Sequence, residues 1–247
     1  MYAIVGGSGL PGINGLKLAS ECIRNTPFGT PSGPLVSGSI DGAPVLFLAR
    51  HGQGHTIPPH KINYRANIFA LRESGAKAIV AIATVGGIAA HLKAGDLLVP
   101  HQIIDYTWGR ESTYHDGPES GVTHVDFTHP YSFGVRDAIL DAGRTIGIPL
   151  KDQGVYAATQ GPRLETAAEI DRLERDGADI VGMTGMPEAI LSRELGIPYA
   201  TLAVVVNPAA GRGASANGID LQTLQKVVNI AMERVRNILA EVVRRDP

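Results

Sequence analysis

Along the chain, short apolar runs rich in Val, Ile and Leu alternate with longer stretches in which apolar residues recur every three or four positions. The apolar runs predict strands at 2–5, 45–48, 78–83, 97–99, 154–158, 180–183 and 199–206. The wider spacing predicts helices at 64–73, 131–145, 165–175, 187–195 and 220–243, with Pro187 as a first-turn proline and Asp220 as an N-cap. Strands and helices that alternate in this way form a central sheet covered by helices, so the expected fold class is α/β with a twisted, mostly parallel or mixed sheet. The rhythm reaches the last helix without an internal repeat, low-complexity tract or linker, which predicts one domain over 1–247. One stretch departs from it: 109–130 is long, polar and rich in His, Asp, Gly and Thr, and reads as a functional excursion with the reach to touch a neighbouring subunit.

Composition narrows the function classes. At 247 residues, 44% hydrophobic and 19% charged, the chain can bury a substantial core and carries no apolar run long enough to cross a bilayer. Its opening apolar run is broken after four residues by Gly6, Gly7 and Gly9, unlike a secretory signal, so a cytoplasmic location is expected. A net charge of -2, with no basic stripe interleaved with aromatics, argues against nucleic-acid binding. The one cysteine, Cys22, excludes an internal disulfide and a multi-cysteine metal site, and is expected as a small buried apolar side chain. The histidines of "RHGQGHTIPPH" have no helical HExxH spacing, and its prolines and glycines make it a loop rather than a metal site.

Polar or glycine-rich clusters follow the apolar runs: "GGSGL", "RHGQGH", "TVGG", "TQGPRLET", "MTGMPE" and "NPAAG". In open α/β sheets the carboxyl ends of the strands line the ligand crevice, so these clusters converge on one pocket. Glycines let backbone N–H groups approach an anion, and Ser8 adds a hydroxyl, which points to a bound phosphate. A dinucleotide fingerprint fits Gly7, Gly9 and Gly12 by spacing, but "LPGINGLK" is too broken to be the helix that fingerprint requires. Arg50 and His51 close the second predicted strand, where a guanidinium fork grips phosphate oxygens and an imidazole donates one more hydrogen bond.

Taken in order, "GGSGL", "RHGQGHTIPPHKINYRANIFAL", "GGIAAHLKAGD", "GPRLETAAE" and "GMTGMPEA" resemble the trimeric purine nucleoside phosphorylase family, in its methylthioadenosine and methylthioinosine branch. The resemblance spans nearly the whole length. It implies a homotrimer that cleaves purine nucleosides with inorganic phosphate as co-substrate, without metal or organic cofactor. It makes Ser8, Arg50, His51, Ala83, Thr84 and Thr184 phosphate ligands and lays Met183 against the ribose. Leu164, Glu165, Asn207 and Ala209 fall to the base side, and His124 to a position from which the branch reaches a neighbouring pocket.

Substrate choice follows from hydrogen-bond chemistry at that base side. Branch members that cleave 6-aminopurines carry aspartates where this chain has Asn207 and Ala209. A primary amide can donate to O6 of a 6-oxopurine and accept from a protonated N7, whereas adenine presents a donor at N6. Glu165 can accept from N1–H, which hypoxanthine has and adenine lacks; the residue also suits a helix N-terminus. Near the start of the last helix no histidine is available for a 5′-hydroxyl, and Ile219, Leu221 and Leu224 offer an apolar wall for a methylthio group. The expected products are hypoxanthine and 5-methylthioribose 1-phosphate. The competing readings are a general inosine and guanosine phosphorylase, a methylthioadenosine phosphorylase, and a nucleoside-binding protein without turnover.

Overall fold

The computed structural model describes residues 1–7, 16–22, 25–118 and 121–245. Ten strands among them form one mixed sheet: β1 (Tyr2–Gly6), β2 (Leu16–Cys22), β3 (Leu35–Ile40), β4 (Ala43–Ala49), β5 (Ala78–Gly87), β6 (Leu97–Leu98), β7 (Gln102–Asp105), β8 (Val155–Ala158), β9 (Ile180–Gly182) and β10 (Tyr199–Pro208). The order across the sheet is β2-β3-β4-β1-β5-β9-β8-β7, with β10 on the other edge of β5 and β6 on β10. Five helices cover it: α1 (Tyr64–Glu73), α2 (Phe133–Thr145), α3 (Ala167–Arg175), α4 (Gly185–Glu194) and α5 (Leu221–Arg245).

Strand alternation sends successive side chains to opposite faces. Ile4, Phe47, Val80 and Leu202 pack with Ile139 of α2 and Val235, Ile238 and Leu239 of α5. Their neighbours Ala3, Val5, Leu46, Leu48 and Ile79 pack with Ile68 and Leu71 of α1 and Ala189 and Leu191 of α4. A smaller cluster seats Ile170 and Leu173 of α3 against Ile88, Val181 and Ala209. No helix among the described residues is long and apolar enough to cross a membrane.

What positions the site is a fork at β5. On one edge β5 pairs with β10 over almost its whole length, Ile79 to Gly87. On the other edge β1 pairs parallel with Ala78 to Ala81, and β9 then pairs antiparallel with Gly86 and Gly87. Between them, Ile82 to Val85 have no strand partner on that edge among the described residues, and a crevice opens in the middle of the sheet.

Element ends differ from the sequence expectation for local reasons. α2 starts at Phe133 rather than 131 because the Ser132 side chain accepts from Val135 N, and α3 starts at Ala167 because Thr166 and Glu169 form a capping box. The "TVGG" cluster is strand, since its backbone continues the ladder with β10. Cys22 is exposed, correcting the expectation of a buried side chain: β2 is an edge strand whose residues after Leu16 all face solvent. Asp220 does cap α5, accepting from Gln222 N at 2.9 Å.

Candidate active site

Thr84 marks the crevice. It lies in the interior of a central strand, between buried Ala83 and Val85, and yet is exposed. An exposed side chain there requires a cavity. Ile82 supplies the first polar contact at its edge, its carbonyl accepting from Arg50 Nη1 at 3.0 Å.

Arg50 follows β4 and is 2% exposed. Its Nε and Nη2 donate to the two carboxylate oxygens of Glu188 at 2.7 and 2.8 Å, and Nη2 also reaches the Val5 carbonyl at 3.5 Å. The fork expected to grip phosphate is thus taken by an internal carboxylate, and of the five N–H donors of a guanidinium one, on Nη1, has no partner among the described residues. Burial disfavours the cation, but the Glu188 charge and hydrogen bonds outweigh it and hold Arg50 protonated. Glu188, fully buried in α4, also accepts from the Tyr199 hydroxyl at 2.9 Å. Sequence reading missed Glu188, because an acid in the first turn of a helix reads as a surface residue favoured by the macrodipole.

His51 stands beside it. Its Nδ1 lies 2.8 Å from the Ile57 carbonyl, and a carbonyl only accepts, so Nδ1 carries the proton. Burial, with Arg50 adjacent, pushes the ring down to about 4, against the Ile57 hydrogen bond. A neutral ring in this tautomer presents Nε2 as an acceptor, not as the donor expected from the sequence. The His55 ring stacks on it with centroids 4.2 Å apart.

Across the crevice, Thr184 is buried at the N-cap of α4, and its side chain makes no capping bond. Arg50 therefore bonds β5 two residues before the exposed Thr84, His51 follows Arg50 in the chain, and Thr184 follows β9, the strand that closes the far end of the gap. Ser8, the remaining expected ligand, lies outside the described residues.

Met183 precedes Thr184 and packs against Gly161: a Cβ built on that glycine would lie 2.4 Å from the Met183 sulfur. Glu165 sits one residue before the Thr166 N-cap, and Glu169 takes the capping role. Glu165 is thereby left for other work. Its Oε1 accepts from the Thr159 hydroxyl at 2.7 Å, and Thr159 N bonds the Gly182 carbonyl at 2.8 Å, so the carboxylate is tied to the end of β9. Thr159 is a second residue that sequence reading missed.

Asn207, near the end of β10, pairs in register with Gly86 of β5, which pairs with Val181 of β9. Its Nδ2 donates to the Pro208 carbonyl at 2.5 Å, which orients the amide and leaves Oδ1 and the second amide hydrogen. The segment after β10 touches the start of α3: a Cβ on Gly211 would lie 2.7 Å from the Ala167 Cβ. Ala209 is buried with Ile88, Ile170 and Val181. Leu164 and His124 are exposed. Of the expected apolar wall, Ile219 is half-buried, Leu224 of α5 packs on the core, and Leu221 is 65% exposed.

A relative from Pseudomonas syringae pv. tomato, a probable S-methyl-5'-thioinosine phosphorylase, is 50% identical over 98% of both chains. The 6-oxopurine nucleoside phosphorylase of Pyrococcus furiosus is 49% identical over 85% of this chain and 80% of its own. Among solved structures, methylthioadenosine phosphorylase from Schistosoma mansoni in complex with adenine superposes with a TM-score of 0.92 at 32% identity, covering 98% of this chain and 90% of that one. The family model described as the phosphorylase superfamily matches residues 1–244. With this fold, this crevice and these relatives, the chain belongs to the phosphorylase superfamily.

Proposed function

We propose that the chain catalyses phosphorolysis of 6-oxopurine nucleosides, with S-methyl-5'-thioinosine as its preferred substrate and hypoxanthine and 5-methylthioribose 1-phosphate as products. The observation that supports the reading is the gap in the sheet at Ile82 to Val85, whose edge Arg50 meets at the Ile82 carbonyl, together with the Glu165 carboxylate and the Asn207 amide that hydrogen bonds hold near the ends of β9 and β10. The names of the relatives support the same substrate class.

In this reading phosphate lies between Thr84, Thr184, the remaining Nη1–H of Arg50 and Nε2 of His51. The hydroxyl of HPO₄²⁻ donates to Nε2, which turns an anionic oxygen toward the anomeric carbon. The nucleophile is already charged, so these groups act by placement and preorganised hydrogen bonds. As the glycosidic bond breaks, its electron pair moves onto the purine. Asn207 Oδ1 accepts from N7–H, its free amide hydrogen goes to O6, and the second oxygen of Glu165 accepts from N1–H. Over the whole reaction the proton that phosphate brings ends on hypoxanthine, and the reaction balances with no metal or organic cofactor. We also take the working unit to be a homotrimer in which His124 meets the neighbouring nucleoside site.

Steady-state rates on methylthioinosine, inosine and methylthioadenosine, with and without phosphate, test the reading. Phosphate-dependent hypoxanthine release, fastest from methylthioinosine, is expected. Ligand binding without phosphate-dependent cleavage overturns it.

A further inference from the structure

Arg110 opens the long segment 109–130, and its guanidinium is turned inward. Nε donates to Gln160 Oε1 at 3.2 Å, and Nη2 to the carbonyls of Thr159 at 3.2 Å and Gln160 at 2.9 Å. The two hydrogens of Nη1 are shared among the carbonyls of Met183 at 2.9 Å and Met186 at 2.6 Å and the Tyr64 hydroxyl at 3.1 Å. The Tyr64 hydroxyl gives its own hydrogen to the Pro59 carbonyl, so it can only accept from Arg110, and its ring lies 5.4 Å beneath the guanidinium carbon.

None of these acceptors is a carboxylate. By contrast Arg65 pairs with Glu111 and Asp116, and Arg212 with Asp171 and Glu174. Among the described residues Arg110 has no carboxylate partner. Its acceptors share a location instead: three are backbone carbonyls just beyond the carboxyl ends of β8 and β9, where each strand has run out of ladder partners, and a fourth, that of Met186, lies at the start of α4 directly after β9. The β8 end carries Thr159, whose hydroxyl holds Glu165, and the β9 end carries Met183 and Thr184.

We propose that Arg110 is a positioning residue for the reaction: its planar fork sets the spacing between the carboxylate that reads the base and the side chains that meet the sugar and phosphate. The proposal rests on the phosphorolysis reading above. A planar fork spans both strand ends, which a lysine ammonium, a single point of charge, does not.

A double-mutant cycle in kcat/KM for methylthioinosine tests it. Arg110→Lys is expected to lower kcat/KM roughly 100-fold, the scale of a misplacement of about 1 Å. Glu165→Ala is expected to cost about tenfold or more in the wild-type background but less than about threefold beside Arg110→Lys, because the carboxylate is already out of place. A purely structural residue would leave the two losses multiplicative, so an equal Glu165→Ala effect in both backgrounds, or none in wild type, overturns the proposal. Arg110→Gln supplies a second background if the lysine variant does not fold, and failure of both to fold marks a stability element and overturns it too. Wild-type turnover with multiplicative losses removes the role of Arg110 alone. Wild-type chain that cleaves no purine nucleoside removes the functional reading and this inference with it.

Discussion

Replacing Glu188 by alanine removes the only carboxylate that faces Arg50 among the described residues, and the structure sets the size of the consequence. The pair is fully enclosed, at 2% and 0% side-chain exposure, and bidentate, with the Tyr199 hydroxyl as a third donor. Truncation leaves a buried guanidinium without its counter-charge and a tyrosine hydroxyl without its acceptor. Breaking a buried pair from one side costs about 3–5 kcal/mol. For a chain of this length each kcal/mol lowers the melting temperature by about 2–4 °C, so a drop of roughly 6–20 °C is expected. Thermal unfolding followed by circular dichroism measures it. The double replacement Arg50→Met with Glu188→Leu separates charge from shape: it should recover most of the lost stability, since apolar residues of similar volume replace such pairs at little cost, while phosphate-dependent turnover stays lost. A Glu188→Ala protein that melts within about 2 °C of wild type would refute the claim that this carboxylate holds the arginine in place.

Two further outcomes follow from the same geometry. Gly161→Ala forces a Cβ to within 2.4 Å of the Met183 sulfur at a φ of +61°, so Met183 must move; KM for the nucleoside should rise several-fold while KM for phosphate stays near wild type, and a parallel rise in both would contradict the placement of Met183. His51 is held near 4 in the folded chain against an ordinary 6.5, so between these values the unfolded chain binds a proton that the folded ring refuses, and stability is lost as pH falls through that window. Urea unfolding at about pH 7.5 and about pH 5 should therefore show a larger loss for wild type than for His51→Gln, and equal losses would contradict a buried neutral ring.

The sequence pattern carried the strands with a continuous apolar core face, such as 45–48 and 199–206, and the helices with a clear apolar stripe. It could not reveal β2, whose residues after Leu16 are exposed and show no buried face, nor the continuation of β5 through Thr84 to Gly87, where glycines read as a turn but pair with β10. At the site, the residues that end strands were legible because their clusters are dense in Gly, Thr and charge. Glu188, Thr159 and Arg110 were not, since each acts through specific hydrogen bonds that leave no periodic trace, most of them between distant residues: 138 residues separate Arg50 from Glu188, and 73 separate Arg110 from Met183. The tautomer of His51 was equally hidden, because it depends on one carbonyl in an irregular loop.

The proposed substrate choice turns on the Asn207 amide and the Glu165 carboxylate together fitting a 6-oxopurine and refusing a 6-aminopurine. The kcat/KM ratio for methylthioadenosine over methylthioinosine, measured in wild type and in Asn207→Asp, tests this most directly. An aspartate exchanges the amide donor for an acceptor facing the 6-substituent, so the ratio should rise by about tenfold or more, the worth of one charged hydrogen bond at about 1.5 kcal/mol. A ratio that stays where it was, or a wild-type chain that already prefers methylthioadenosine, would contradict it.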